Sequence, residues 1–202
     1  MATGITAMGL QHQYQQTSVD DYLNFEMSSD IKHEFIDGQI YAMAGVSANH
    51  ERISGNVYRK FGNHLENSPC EPFGSDMKLR VNSNFFYPDV LVDCKFDNST
   101  PYFSTTPVII VEVLSRSTRK TDETLKLMSY INIPSLQEYV MIEQDFVDVA
   151  VLRRKDNWFT QHYFLGDVIT FESIGLTLSV EDIYQRVDNE DMKIFLQQSS
   201  GQ

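Results

Sequence analysis

The sequence predicts an α/β fold, in which a central mixed sheet is flanked by helices and followed by an antiparallel C-terminal strand region. Residues 47–65 place apolar side chains at every fourth position, which is typical of an amphipathic helix that covers a sheet. Residues 108–114 are almost uninterrupted Val, Ile and Leu, which indicates a central strand that is buried on both faces. The arrangement of strands and helices around this central strand excludes an all-β fold.

The N-terminal part predicts a short helix and a hairpin before the long helix. Ser18 is a favourable N-cap for a helix over residues 19–25. Two short strands within residues 33–43 flank Asp37-Gly38, a dipeptide that readily supplies the two positive φ angles of a type I′ turn. The long helix over residues 47–65 follows this hairpin.

The remainder of the chain predicts further strands and one helix. The strands are expected at residues 77–81, 85–94, 108–114, 138–142, 146–152 and 158–164. A helix from about Lys120 to Ile131 ends before Pro134, because proline disfavours helical backbone at the residue before it.

A chain of 202 residues with 42% hydrophobic composition suits one globular domain, expected at residues 17–187 with flexible tails at 1–16 and 188–202. The sequence has neither a secretory leader pattern nor an apolar run long enough to span a membrane, so a cytoplasmic location is expected. Cys70 and Cys94 match no zinc spacing, and a cytoplasmic pair is expected to stay reduced and half-buried.

The net charge of −12 counts against nucleic-acid binding, because proteins that bind duplexes usually present a basic surface to the phosphates. The basic residues are, however, unevenly distributed. They cluster after the predicted central strand and within the long helix, at Arg116, Arg119 and Lys120 and at Arg52, Arg59 and Lys60. These two clusters keep nucleic acid among the candidate partners.

Two acidic residues are candidates for a metal site. Asp89 stands near the start of one predicted strand and Glu112 near the end of the next, so their side chains can face each other across adjacent strands. Two carboxylates and a backbone carbonyl suit Mg²⁺, which prefers hard oxygen ligands. A carboxylate inside an apolar strand must be compensated by a metal, an arginine or a raised pKa. A structural ion pair for Glu112 is the alternative.

Several motifs occur in an order that resembles the PD-(D/E)XK nuclease superfamily, and within it a bacterial restriction-endonuclease-like family of unknown function. The resemblance extends from Val19 to about Val187. Its motifs are Phe35-Ile36-Asp37-Gly38 preceded by Glu34, Tyr87-Pro88-Asp89, Val111-Glu112-Val113-Leu114-Ser115, Ser117-Thr118, Asp122 with Lys126, and Ile133-Pro134-Ser135-Leu136-Gln137-Glu138-Tyr139.

The resemblance implies a restriction endonuclease-like core with Asp89 and Glu112 as metal ligands and the Val113 carbonyl as a third. The superfamily's lysine normally stands two residues after the acid, at the position that Leu114 occupies here. The resemblance implies that Lys126 supplies this function from the following helix. The alternative is an ordinary surface ion pair between Lys126 and Asp122, four residues apart.

Other residues are weaker candidates for the site. Glu34 resembles the first acid of the superfamily, and its alternative is a solvated glutamate at a strand edge. Asp76 and Lys120 are minor candidates, and Tyr130 is expected to be a core aromatic rather than a site residue. The five histidines have no metal-binding spacing and are left unassigned, although His50 lies near a helix start, where it could contact a phosphate.

The implied function is that of a Mg²⁺- or Mn²⁺-dependent endonuclease that hydrolyses DNA phosphodiester bonds, acting as a homodimer because a two-strand cut needs two sites. Four closely spaced aromatics could cover a partner subunit, namely Trp158, Phe159, Tyr163 and Phe164. Two alternatives stay open. One is a non-catalytic binding or assembly module on the same fold, which the leucine at position 114 favours, and the other is a metal-dependent hydrolase of small phosphoesters.

Overall fold

The computed structural model describes residues 17–115 and 122–200, of which residues 122, 123 and 200 are described by their backbone alone. The N-terminal part contains α1 (Val19–Met27), β1 (His33–Ile36), β2 (Gln39–Ala42), α2 (Ala48–Leu65), β3 (Glu71–Gly74), β4 (Lys78–Val81), β5 (Asn84–Phe86), β6 (Val90–Asp93), β7 (Phe103–Ser104) and β8 (Pro107–Leu114). The C-terminal part contains a π-helical turn (Asp122–Lys126) that continues as α3 (Leu127–Tyr130), β9 (Glu138–Glu143), β10 (Val149–Arg153), a 3₁₀ turn (Arg154–Asp156), β11 (Thr160–Tyr163), β12 (Val168–Phe171), β13 (Leu176–Ser179), α4 (Val180–Ile183) and α5 (Glu190–Ser200).

The strands form a six-stranded sheet, a five-stranded sheet and a two-stranded hairpin. The six-stranded sheet has the order β11-β10-β9-β8-β6-β3, and the five-stranded sheet has the order β2-β1-β5-β4-β7. Strand β8 pairs antiparallel with β6 and parallel with β9, so the central sheet is mixed. The hairpin of β12 and β13 is antiparallel. The predicted α/β fold with a mixed central sheet and a C-terminal antiparallel region is therefore confirmed.

The two faces of the six-stranded sheet bury separate apolar clusters. On one face lies α2, whose stripe of Ile53, Val57, Phe61 and Leu65 packs on β6, β8, β9 and β10. Each such side chain contributes about 1.5–3 kcal/mol when it leaves water. On the other face lie the five-stranded sheet and α3, which enclose a second cluster around β8. Strand β8 is thus buried on both faces, as its sequence predicts.

The predicted cap of α1 and the predicted hairpin turn are present, and α2 also has a serine cap, which was not predicted. Ser47 begins α2, and its Oγ accepts a hydrogen bond from the His50 amide at 3.2 Å. Ser18 caps α1 in the same way, through the Asp21 amide at 3.1 Å. Asp37 and Gly38 have φ angles of 50° and 81°, the positive values that a type I′ turn requires.

The prediction of one continuous strand over residues 85–94 is wrong. The chain leaves the five-stranded sheet after β5 and enters the six-stranded sheet at β6, and Tyr87-Pro88-Asp89 forms the crossing. Proline has no amide hydrogen to donate and restricts the residue before it, so a strand readily ends here. This crossing places Asp89 between the two sheets.

The prediction that Cys70 and Cys94 are reduced is also wrong. Strands β3 and β6 pair antiparallel with Glu71 opposite Asp93. This register brings Cys70, just before β3, close to Cys94, just after β6. Cys70 and Cys94 form a disulfide there, with Cα atoms 3.8 Å apart. The contact depends on strand register, which the cysteine spacing alone does not reveal.

The C-terminal segment contains a helix where the sequence predicts a flexible tail from residue 188. Helix α5 buries Met192 in the main apolar cluster, and the Asp191 carboxylate accepts from the Val147 amide at 2.8 Å. Residues 1–16 and 201–202 lie outside the described residues, so the domain limits of 17–187 stay a prediction. No helix in the described ranges combines the length and apolarity needed to cross a membrane.

Candidate active site

A cavity of about 440 Å³ opens where β8 ends, between the two large sheets and the start of α2. Five acidic or basic side chains from five different segments line it, namely Glu34, His50, Asp89, Glu112 and Lys126. The five-stranded sheet supplies Glu34, α2 supplies His50, the crossing supplies Asp89, β8 supplies Glu112 and the π-helical turn supplies Lys126. The fold thus concentrates charge at one end of its central strand.

Glu112 is the most deeply buried acid of the cavity, with 3% of its surface exposed. The Lys126 ammonium lies 3.3 Å from its Oε1, and the Tyr130 hydroxyl donates to the same oxygen at 2.9 Å. Burial, and then the charges of Glu112 and Glu34, raise the pKa of Tyr130 well above its ordinary 10.0. Tyr130 therefore keeps its proton at neutral pH and acts as a donor to Glu112.

Glu34 shares the same ammonium group from the opposite sheet. Its Oε1 lies 3.0 Å from Lys126 Nζ and also accepts from the Tyr87 amide at 3.3 Å. Glu34 and Lys126 are both buried. The Lys126 ammonium thus connects a carboxylate of the five-stranded sheet with one of the six-stranded sheet.

Asp89 is held by a backbone amide and an imidazole. Its Oδ2 accepts from the Val113 amide at 2.7 Å and lies 3.3 Å from Nε2 of His50. Burial alone would lower the pKa of His50, but the hydrogen bond and charge of Asp89 outweigh it and raise the pKa above the ordinary 6.5.

The cavity offers the carboxylate oxygens of Asp89 and Glu112, the ligand type that Mg²⁺ and Mn²⁺ prefer. Among the described residues, no group of three or more His, Cys, Asp or Glu side chains is arranged to enclose a metal ion. Magnesium sites commonly use only one or two carboxylates and keep several waters. Asp89 and Glu112 therefore fit this kind of partly hydrated site, and Val113 lines the same cavity.

The structure brings together Glu34, Asp89, Glu112, Val113 and Lys126, which are the predicted site residues. Glu34 is buried against Lys126, so the alternative of a solvated strand-edge glutamate does not hold. Lys126 is likewise buried, and its partners Glu34 and Glu112 lie on other elements. The side chain of Asp122, its alternative partner, lies outside the described residues.

Other sequence candidates lie away from the cavity or beyond the described residues. The Asp76 side chain is 95% exposed and pairs with Lys32 at 3.1 Å. Arg59 and Lys60 contact Gln185 and Asp182, so they hold α2 to the segment around α4. Three basic residues of the segment after β8 fall outside the described part of the chain, namely Arg116, Arg119 and Lys120.

Sequence reasoning left His50, Ser47 and Gln144 unassigned, yet all three line the cavity. Ser47 Oγ donates to Gln144 Oε1, which connects the start of α2 to the end of β9. The only sequence signal for His50 is its place in the first turn of α2, three residues after the capping serine. Its contact with Asp89 depends on how α2 docks on the sheet, which the sequence does not reveal.

Comparison with known proteins gives relatives over most of the chain. The uncharacterized protein slr1290 of Synechocystis sp. is 37% identical over 177 residues, covering 85% of this chain and 93% of that protein. The uncharacterized protein sll1609 of the same organism is 40% identical over 129 residues, covering 61% of this chain and 73% of that protein.

A solved structure shares the fold at low sequence identity. It is described as a "putative nuclease belonging to DUF820" from Anabaena variabilis, with a TM-score of 0.71, 17% identity, and coverage of 83% of this chain and 97% of that one. The model of the Uma2 family, described as "Putative restriction endonuclease", matches residues 19–181. With most of its length matched by this model, the chain belongs to the Uma2 family.

Proposed function

We propose that this chain is a Mg²⁺- or Mn²⁺-dependent endonuclease that hydrolyses DNA phosphodiester bonds at the cavity beside β8. The observation that carries the proposal is the position of the Lys126 ammonium, 3.3 Å from Glu112 and in the same cavity as Asp89. A lysine beside paired acids supplies the groups that metal-assisted phosphodiester hydrolysis uses.

Asp89, Glu112 and the Val113 carbonyl would hold the metal ion in this proposal. The bound ion would neutralise charge on the scissile phosphate and lower the pKa of a water molecule. Asp89, Glu112 and Val113 all line the same cavity, and oxygen ligands of this kind suit such an ion.

The remaining side chains fix the acids and the nucleophile. Tyr130 holds one oxygen of Glu112, and the Val113 amide and His50 hold Asp89, so both acids are preoriented. Lys126 would orient the attacking water with its ammonium protons. Position 114, where the resembling nucleases have their lysine, cannot do this because it holds a leucine. Leu114 is buried in the apolar cluster and carries no polar group.

The choice of DNA as substrate is supported by the family description, "Putative restriction endonuclease", and by the description of the solved structure as a "putative nuclease". A cytoplasmic location and a homodimer that places two sites on one duplex are part of the proposal. The net charge of −12 favours one alternative, a hydrolase of small phosphoesters, because a small substrate does not require a basic surface.

Metal titration and cleavage assays separate these possibilities. We expect Mn²⁺ to raise the melting temperature of the wild type and of Asp76→Ala, whose carboxylate lies outside the cavity, but not that of Asp89→Ala. Plasmid cleavage by the wild type and Asp76→Ala, lost in Asp89→Ala, is the expected result. Cleavage of bis(p-nitrophenyl) phosphate without plasmid cleavage would instead identify a small-phosphoester hydrolase. No response to metal in the wild type would indicate the non-catalytic module.

A further inference from the structure

A second buried polar cluster lies behind the cavity, centred on Glu26 of α1. The Glu26 carboxylate is buried, and both of its oxygens are engaged. Its Oε1 accepts from the Tyr87 hydroxyl at 2.6 Å and from the His33 amide at 3.0 Å. Its Oε2 lies 3.0 Å from Nδ1 of His33. Helix α1 is thereby bonded to β1 and to the crossing between the sheets.

Both partners of Glu26 adjoin acids of the candidate site. His33 immediately precedes Glu34 in β1, and Tyr87 lies two residues before Asp89 in the crossing. Tyr87 also donates its backbone amide to Glu34 at 3.3 Å. The side chain of Glu26 therefore restrains the backbone on which Glu34 and Asp89 are placed.

Attachment of α1 does not require a buried carboxylate. Tyr22 of α1 already stacks on Phe35 with ring centroids 4.8 Å apart and packs against Phe85 at 5.3 Å. Burying a carboxylate costs free energy, and apolar residues of similar volume often stabilise a core as well or better. A contribution to stability alone therefore does not explain why a carboxylate is buried at position 26. A function in positioning neighbouring residues does explain it.

We propose that Glu26 is a positioning residue, which acts through Tyr87 and His33 to set the positions of Asp89 and Glu34. This inference rests on the proposed function, since it assigns those acids to the active site. The Tyr87 hydroxyl donates to Oε1 of Glu26 at 2.6 Å, which connects the crossing directly to the carboxylate. The Tyr87 hydroxyl is the link that can be removed with the least change in shape.

The test uses Tyr87→Phe and Glu26→Gln, with Glu138→Gln as the matched control. Glu138 is also a buried carboxylate, paired with Arg153 at 3.3 Å, but it lies at the opposite end of the strand pair formed by β8 and β9. The first readout is the amide NMR signal of Val113, because that amide donates to Asp89 and reports the position of its carboxylate without any metal.

The Val113 signal is expected to shift in Tyr87→Phe and Glu26→Gln and to stay in place in Glu138→Gln. The second readout is Mn²⁺ affinity by calorimetry, which should fall about 10–100-fold in the first two variants, as for other residues that orient metal ligands. A Val113 signal unchanged in Tyr87→Phe overturns the positioning role, whether or not Glu26→Gln folds. A wild type that binds no Mn²⁺ counts against the proposed function, while the amide signal still decides the role of Glu26.

Discussion

Nζ of Lys126 lies 3.3 Å from Oε1 of Glu112, although the two residues are 14 positions apart and belong to different elements. Nucleases that this chain resembles place their lysine two residues after the acid, on the same strand. Here that strand position holds Leu114, and the ammonium reaches the acid from a π-helical turn. Single π-helical turns are frequent at functional sites, since they change which side chains face a neighbouring element.

Replacing Lys126 with methionine tests whether this ammonium serves the reaction. Methionine keeps the length of the side chain but cannot orient a water molecule, so we expect cleavage to slow by about 10²–10⁴-fold. Mn²⁺ affinity should not fall, because the variant removes a cation that competes for Glu112. Single-turnover cleavage and calorimetry measure the two effects.

The control for this variant is Lys155→Met, which removes an exposed lysine that pairs with Glu172 and does not line the cavity. It should cleave at the wild-type rate. A Lys126→Met chain that also cleaves at that rate would show that the buried lysine is structural, and would shift weight to the non-catalytic module.

Local sequence patterns were sufficient for the elements that build the scaffold. The fourfold spacing from Ile53 to Leu65 predicts α2 with its buried face, and Asp37-Gly38 predicts the hairpin turn. Both depend on interactions within a few residues. Asp89 and Glu112 line one cavity, as expected, although the alternation that suggested their pairing assumed a strand to which Asp89 does not belong.

The parts that could not be predicted depend on contacts between distant segments. The chain passes from one sheet to the other at Pro88, and this crossing depends on how the two sheets pack together. The residues on either side of Pro88 have the pattern of one continuous strand, so the pattern does not reveal the crossing. His50 contacts Asp89 only after α2 has docked, and Cys70 meets Cys94 only through the register of β3 and β6. Neither contact can be predicted from residues that are close together in the sequence.

His50 is expected to contribute to metal binding through Asp89. It contacts Oδ2 of Asp89 at 3.3 Å, and loss of that contact leaves the Val113 amide as the donor that holds the carboxylate. His50→Ala should reduce Mn²⁺ affinity about 10–100-fold. The matched control is His162→Ala, which removes an exposed histidine that pairs with Asp148 at 2.8 Å. Equal affinities in the two variants would argue that His50 only packs the helix.

The ion pair between Lys60 and Asp182 should make a small part of the stability depend on pH. Lys60 Nζ lies 2.6 Å from Asp182, and its hydrogen bond and charge lower the pKa of Asp182 below its ordinary 3.8. Because the folded pKa is the lower one, the pair stabilises the fold above pH 3.8 and loses this contribution as the pH falls through the folded value.

The Asp182 side chain is 40% exposed, so solvent limits the contribution to about 1 kcal/mol or less. Urea unfolding of the wild type and Asp182→Asn should show this difference at neutral pH, and the difference should shrink below pH 3.8. A difference that stays constant across this range would mean that the substitution acts through packing rather than through charge.

Reduction of the disulfide should destabilise the fold without moving the site. Cys70 and Cys94 close a loop with a sequence separation of 24, for which the loss of unfolded-state entropy is worth about 3 kcal/mol. Thermal melts with and without dithiothreitol should differ, whereas a Cys70→Ser, Cys94→Ser double variant should show no effect of the reductant. Identical wild-type melts under both conditions would show that the two thiols are not bonded in solution.

The edge of the six-stranded sheet is expected to form the homodimer contact. Of the four aromatics around β11, Trp158 and Tyr163 pack against the two apolar clusters of their own chain. Phe159 and Phe164 instead are 74% and 50% exposed, one at each end of the edge strand. Exposed apolar side chains beside unpaired strand edges favour pairing with a second copy.

Light scattering should therefore give about twice the mass of one 23.3 kDa chain for the wild type. Phe159→Glu with Phe164→Glu should return the mass of a single chain, because two charges would be buried against the same surface of the partner subunit. Tyr102→Glu is the control, since Tyr102 is a similarly exposed aromatic on another part of the molecule. A wild type that stays at the mass of one chain at micromolar concentration would show that a two-strand cut, if made, requires successive encounters of single sites with DNA.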